Sequence, residues 1–317
     1  MKKIFLISIA IVSFCLASSA QESAFPEPSG TYLFATKDGQ DLYMDIYEPA
    51  EGSVTEIKGK AKPSVIFIFG GGFKDGSRNE KSTVLWFDRM TKAGYRIIAI
   101  DYRLGLKDAT KMGIGQVDLL DDAIHMAVDD LFSATLYIID NQAELGIDPS
   151  NLVISGSSAG AITCLQAEYD ICNSRQSAAV LPEGFNYAGV ISFSGAILSR
   201  DGAIKFAKTP APMLLFHGTA DKLVTYKQIS ALKTRFAGTS VIVPVLEKGG
   251  YNYNVYRYQD RGHEISILYF RWADEEVFRF LETNVTEGTR RIVDALIDDP
   301  DIPKPEWSTA GVDDLYK

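Results

Sequence analysis

Ser158 stands at the centre of Gly156-Ser157-Ser158-Ala159-Gly160, a G-x-S-x-G pattern that can lift a serine hydroxyl on a tight turn and offer it as a nucleophile. Composition alone produces such a match in roughly one chain in seven of this size, so its placement has to carry the weight. That placement is informative. Asn151 to Ser155 reads as a buried strand, and a helical pattern begins directly after Ser158. A turn sharp enough to join them forces an unusual backbone at the serine and leaves no room for side chains two positions before and after it, where Gly156 and Gly160 stand. Ser157 is the neighbouring alternative, and it reads as an ordinary polar turn residue.

A serine hydroxyl attacks poorly at neutral pH unless a base takes its proton, and histidine has the ordinary pKa for that task. The chain has three histidines. His125 falls in the middle of a long helical stretch, where an exposed or capping role is expected. His217 follows an apolar run, Pro212 to Phe216, and opens His217-Gly218-Thr219-Ala220-Asp221, while His263 lies in the loop Gln259-Asp260-Arg261-Gly262-His263-Glu264. Asp221, Asp260 and Glu247 are the acids available to orient a base. Phe69-Gly70-Gly71-Gly72-Phe73 follows another buried strand, and its glycines let backbone N–H groups approach a developing oxyanion. Donors from Gly70, Gly71 and Gly72, with the N–H of Ala159, would form an oxyanion hole, each worth ~3 kcal/mol in the transition state. A phosphate loop would need a Lys-Ser/Thr ending or G-x-G-x-x-G spacing, and neither is present. No H-E-x-x-H or similar spacing suggests zinc, so acyl transfer by these groups is expected to need no metal and no cofactor.

The elements around these residues alternate. Thr31 to Tyr47 predicts an antiparallel hairpin turning at Lys37-Asp38-Gly39. Ser64 to Phe69 and Tyr95 to Ile100 are short apolar runs suited to strands buried on both faces, and Asn151 to Ser155, Ala188 to Phe193, Pro212 to Phe216 and, as the last strand, Tyr253 to Tyr258 are expected strands. Helices are expected around Ser82 to Lys92, Gln116 to Glu144, after Ser158, around Tyr226 to Phe236, and from Ile265 beyond Phe280. Strand–helix alternation predicts an α/β fold with a mainly parallel sheet and helices on both faces. Both candidate histidines then sit at strand ends, where the sites of open α/β sheets gather.

Lys2 and Lys3 precede the apolar run Ile4 to Leu16, which ends in Ala17-Ser18-Ser19-Ala20, so residues 1–20 read as a signal peptide cut after Ala20. The run is too short for the ~20 residues of a spanning helix, and an exported periplasmic or extracellular protein without stable membrane insertion is expected. The remainder, 21–317, fits one domain, with a proline-rich tail over 299–317 expected to wrap or hang loose. Losing Lys2 and Lys3 moves the net charge from −9 to −11, which repels nucleic acid. Cys164 and Cys172 lie eight residues apart on an expected helix, ~12 Å by helical rise, and are expected to be free thiols.

FGGGF at 69–73, DYRL at 101–104, GSSAG at 156–160, HGTAD at 217–221 and GHE at 262–264 occur in an order that resembles the bacterial carboxylesterases of the α/β-hydrolase superfamily. The likeness is strongest to secreted esterases that include feruloyl and acetyl esterases acting on plant polysaccharides. It implies an α/β-hydrolase fold and a chain order of nucleophile, acid, then histidine, which selects Ser158, Asp221 and His263 and leaves His217 as a brace for the loop carrying Asp221. One departure is Phe69, standing where the family has a histidine that braces the oxyanion loop. Gly195 to Pro212 is a short insertion, so little or no cap and a shallow, open site are expected, with Phe73, Trp86 and Tyr102 as candidate aromatic walls for a small or carbohydrate-linked ester. A serine peptidase of the same fold and a non-catalytic binding module are the alternatives.

Overall fold

The structure is a computed structural model that describes residues 26–315, so the expected signal peptide lies outside the described residues. Gly30–Lys37 (β1) and Gln40–Tyr47 (β2) pair antiparallel around Asp38 and Gly39, whose φ values of 52° and 76° make the type of two-residue turn that Asp-Gly favours. The chain then alternates through Ser64–Ile68 (β3), Lys81–Lys92 (α1), Arg96–Ile100 (β4), Val117–Asp140 (α2), Leu152–Ser157 (β5), Ala159–Cys172 (α3) and Gly189–Phe193 (β6). After Ala196–Ser199 (β7) come Met213–Gly218 (β8), Gln228–Ala231 (β9), Thr234–Gly238 (β10), Thr239–Lys248 (α4), Tyr253–Tyr258 (β11), Asp274–Phe280 (α5) and Val293–Ile297 (β12).

Nine strands form one sheet in the order β1-β2-β4-β3-β5-β6-β8-β11-β12. Every neighbouring pair from β4 to β12 is parallel, and only the β1–β2 hairpin and its junction with β4 are antiparallel. All residues of β3, β5, β6 and β8 are buried, the burial that helices on both faces of a parallel sheet impose. The whole of α3 is buried as well, and on it Cys164 and Cys172 are unbonded thiols. No helix among the described residues is long and apolar enough to cross a membrane.

Three elements differ from the sequence expectation. Residues 226–236 do not form a helix: β9 and β10 make a hairpin turning at Leu232, φ 53°, and β10 pairs with β7 in a separate three-stranded sheet. The partner strand decides this, because the backbone groups of β10 are satisfied by β7, forty residues away in sequence, rather than locally. The helix begins only at Thr239, in a stretch rich in β-branched residues with Pro244 inside it. Tyr253–Tyr258 is not the last strand, since β12 adds a half-exposed edge parallel to it. The expected helix from Ile265 starts as a tight 3-10 segment, His263–Phe270, kinks at Ile267, and becomes regular only in α5.

Candidate active site

Four sheet strands end at one edge and deliver the loops of the site: β3 to the glycines at 70–72, β5 to Ser158, β8 to Asp221, and β11 to His263. Between β5 and α3, Ser158 has φ 52° and ψ −115°, a left-handed conformation that a side-chain-bearing residue adopts only under constraint. The glycines permit it. A Cβ on Gly156 would lie 2.3 Å from the Gly160 carbonyl carbon, and one on Gly160 would lie 2.0 Å from the Ile68 oxygen. Ser157 turns away and donates its hydroxyl to the Ser266 carbonyl at 2.8 Å.

The Ser158 hydroxyl lies 2.9 Å from His263 Nε2, and His263 Nδ1 lies 2.8 Å from Asp221 Oδ2. With Nδ1–H donating to the carboxylate, Nε2 is left to accept from the serine. All three residues are buried, between 5 and 8 % exposed. Burial works to raise the Asp221 pKa, but the positive charge available on His263 and hydrogen bonding to His217 and His263 outweigh it and hold the carboxyl well below its usual range. The amides of Leu223 and Val224 also donate to Asp221 Oδ1 at 2.9 and 3.0 Å. His217 is fully buried; its Nε2–H donates to Val224 O at 2.9 Å and its Nδ1 accepts from the Thr239 hydroxyl at 2.8 Å. Nε2 thus holds the 221–224 loop, while Nδ1 ties the ring to Thr239 at the start of α4. Asp260 and Glu247 are exposed and offer His263 no comparable partner.

The glycine loop at 70–72, expected to form the oxyanion hole, packs directly on the turn that carries Ser158: a Cβ on Gly70 would meet Ser157 O at 3.1 Å and Ser158 Cβ at 3.3 Å. Gly71, φ 111°, accepts the amides of Lys74 and Asp75 and has no space for a side chain, since its Cβ would fall 1.9 Å from Asp75 O. Gly72 and Ala159 line the same cavity as Ser158, and Ala159 opens α3, where the first N–H groups have no acceptor within the helix. Phe69, at the position where the resemblance implies a histidine, is contacted by a polar side chain from the next strand end. Tyr102 stacks on the Phe69 ring, centroids 4.4 Å apart, and donates its hydroxyl toward the carbonyls of Phe69 at 3.1 Å and Gly70 at 3.3 Å. The flanking residues of DYRL fix Tyr102 in turn: Asp101 accepts from the Tyr43 amide and Arg78, and the Arg103 amide donates to Asp130 at 2.7 Å.

The cavity over Ser158 measures about 780 Å³. Phe73, Met112, Leu120 and Ile162 form one part of its wall, and Val224, Ile229 and Phe236 another. Among the three aromatic residues expected as walls, Phe73 lines the cavity, but Trp86 and Tyr102 do not. Trp86 is fully buried against Phe67 and Tyr269, because α1 turns its apolar face to the sheet, and Tyr102 is engaged with the backbone of the glycine loop. The walls from the β9–β10 hairpin and from Thr309 to Leu315 have no local sequence signal; nothing in their patterning points to a site.

A buried serine paired with an oriented imidazole, beside glycine-loop and helix N–H groups, is suited to acyl transfer through a covalent intermediate. Residues 44–196 match the BD-FAE family model. An ethyl acetate hydrolase of Pseudomonas putida is 26% identical over 148 residues, 47% of this chain and 40% of that protein. A chlorogenic acid esterase of Aspergillus niger is 26% identical over 196 residues, 60% of this chain and 34% of that protein. The chain thus spans well under half the length of these relatives. Esterase 2 of Thermogutta terrifontis, in a structure phosphorylated by paraoxon, aligns with TM-score 0.54 at 21% identity, covering 81% of this chain and 91% of that one. The chain has the α/β-hydrolase fold.

Proposed function

We propose that this α/β-hydrolase is a serine carboxylesterase in which Ser158 is the nucleophile, His263 the general base and Asp221 the group that orients it. The observation that carries the reading is the unbroken hydrogen-bonded line from Ser158 Oγ through both nitrogens of His263 to Asp221. Ser158 Oγ attacks the ester carbonyl while His263 Nε2 takes its proton. The oxyanion is held by N–H groups of the 70–72 loop and Ala159. His263 then hands the proton to the leaving alcohol, and an acyl-serine remains. Water, deprotonated by the same nitrogen, releases the acid and restores the serine.

The substrate is proposed to be an ester with a sizeable apolar or aromatic acyl group, feruloyl-like, joined to a carbohydrate or other alcohol, with acetyl esters as weaker substrates. The apolar cavity and the likeness to a chlorogenic acid esterase support this. Export is proposed on the basic and apolar pattern of residues 1–20, and mass analysis of the exported protein should give an N-terminus at Gln21.

Paraoxon, the reagent bound to the Thermogutta enzyme, tests the nucleophile: one phosphoryl adduct on Ser158, absent from Ser158→Ala, is the expected result. A panel of 4-nitrophenyl esters, methyl ferulate, acetylated xylan and an aminoacyl anilide tests the class. Hydrolysis of the anilide alone would make the protein a peptidase, and silence on all substrates would leave a binding module.

A further inference from the structure

The segment from Asp299 to Leu315 neither hangs loose nor merely covers the sheet. It runs across the mouth of the site through short helical turns at Glu306–Thr309 and Val312–Leu315, and Thr309, Gly311, Val312 and Leu315 line the cavity that holds Ser158.

It is fastened to both loops that carry the expected base and the carboxylate that orients it. On the acid's side, Gly311 forms a backbone bridge with Lys222, the residue after Asp221. On the base's side, Ser308 is 2 % exposed and its carbonyl packs so closely on Gly262, the residue before His263, that a Cβ there would lie 1.8 Å from the Ser308 oxygen. Arg261 donates to Asp299 O at 2.6 Å, and Lys304 donates to Asp260 O at 2.7 Å. A wall tied at these points keeps a constant distance from the reacting atoms, unlike a surface loop free to yield to substrate.

We propose that this C-terminal segment is the specificity wall of the site, with Val312 and Leu315 packing against the apolar group of the ester and selecting aliphatic chains of several carbons, or rings of similar reach, over acetyl. The inference rests on the esterase reading of the same site. Its physical basis is apolar burial: each methylene removed from water contributes roughly fourfold to binding, and only groups that extend beyond one methyl have methylenes to bury. Both side chains are half-buried and packed against the apolar core, so an alanine at either position opens the cavity without removing a core residue.

The test compares the mature chain with its Val312→Ala/Leu315→Ala variant on 4-nitrophenyl acetate, butanoate, hexanoate and octanoate, with rates expressed per paraoxon-titrated site. The hexanoate-to-acetate ratio of kcat/KM should fall roughly tenfold in the variant. An unchanged ratio overturns the proposal. A second arm needs no turnover: binding of 4-nitrophenyl hexyl ether, a non-hydrolysable analogue, by Ser158→Ala chains with and without the alanine pair. Affinity should weaken roughly tenfold with the pair, and equal affinity overturns the wall. Because this arm reads in an inactive background, failure of the wall and failure of the esterase reading give different results.

Discussion

The Tyr102 hydroxyl reaches the carbonyl oxygens of Phe69 and Gly70, and its ring stacks on Phe69, so one side chain braces the glycine loop proposed as the oxyanion hole. In that role the loop's N–H groups would aim at substrate only while its carbonyls are held on the opposite side. Tyr102→Phe keeps the ring and removes the bond. We expect kcat to fall about tenfold, equivalent to about 1.4 kcal/mol, with KM little changed. Steady-state kinetics on one good ester checks it, and a rise in KM at constant kcat would contradict it.

Asp221 is expected to act through the tautomer of His263. In Asp221→Asn the amide can donate to Nδ1, which moves the imidazole proton to Nε2 and leaves nothing to accept from Ser158. A loss of about 10⁴-fold in kcat is expected, by the logic of serine triads generally. Because the carboxyl is held well below its usual range, wild-type activity should not lose this group to protonation near pH 4. A rate loss centred on an ordinary aspartate pKa in wild type, absent from the variant, would count against this.

Gly160 has no space for a side chain, because its Cβ would lie 2.0 Å from the Ile68 backbone oxygen. Gly160→Ala should destabilise the protein by about 3 kcal/mol, since backbone rather than a flexible side-chain end must move. Urea denaturation followed by far-UV circular dichroism measures this, and a shift within experimental scatter of wild type would contradict the packing.

His125 forms an ion pair with Asp121 at 3.2 Å and sits 3.6 Å from Asp170. The hydrogen bond to Asp121 raises its pKa from 6.5 to about 9, against the opposing effect of burial. The folded state therefore holds a proton that the unfolded chain releases between those values. The stability this contributes is complete below pH 6.5 and lost as pH rises through about 9. His125→Gln should flatten the fall in thermal midpoint over that window, and parallel curves for the two proteins would rule the linkage out. With the histidine 41 % exposed, the effect should also shrink in high salt.

Much of the frame was legible because its signals are local. Asp38-Gly39 specifies the hairpin turn through its own backbone preferences, and the mainly apolar runs of β3, β5, β6 and β8 read as strands because every position in them is buried. The same holds for the residues nominated at the site. Ser158 sits between glycines whose absence of a side chain is a steric requirement, and the chain order of Ser158, Asp221 and His263 follows the order of strand ends along one sheet edge.

What the sequence alone determined is therefore where the central strands lie along the chain and the chemical types that follow them. Only the tertiary structure decided which surfaces those types would meet. Residues 226–236 became a hairpin because β7 was there to pair with β10, and Trp86 and Tyr102 went to the core and the glycine loop rather than to the cavity wall. The tail beyond Asp299 became a wall because Lys222 and Gly262 offered it backbone to pack on. Each of those outcomes depends on contacts between residues tens to hundreds of positions apart, whose free energy no local pattern encodes.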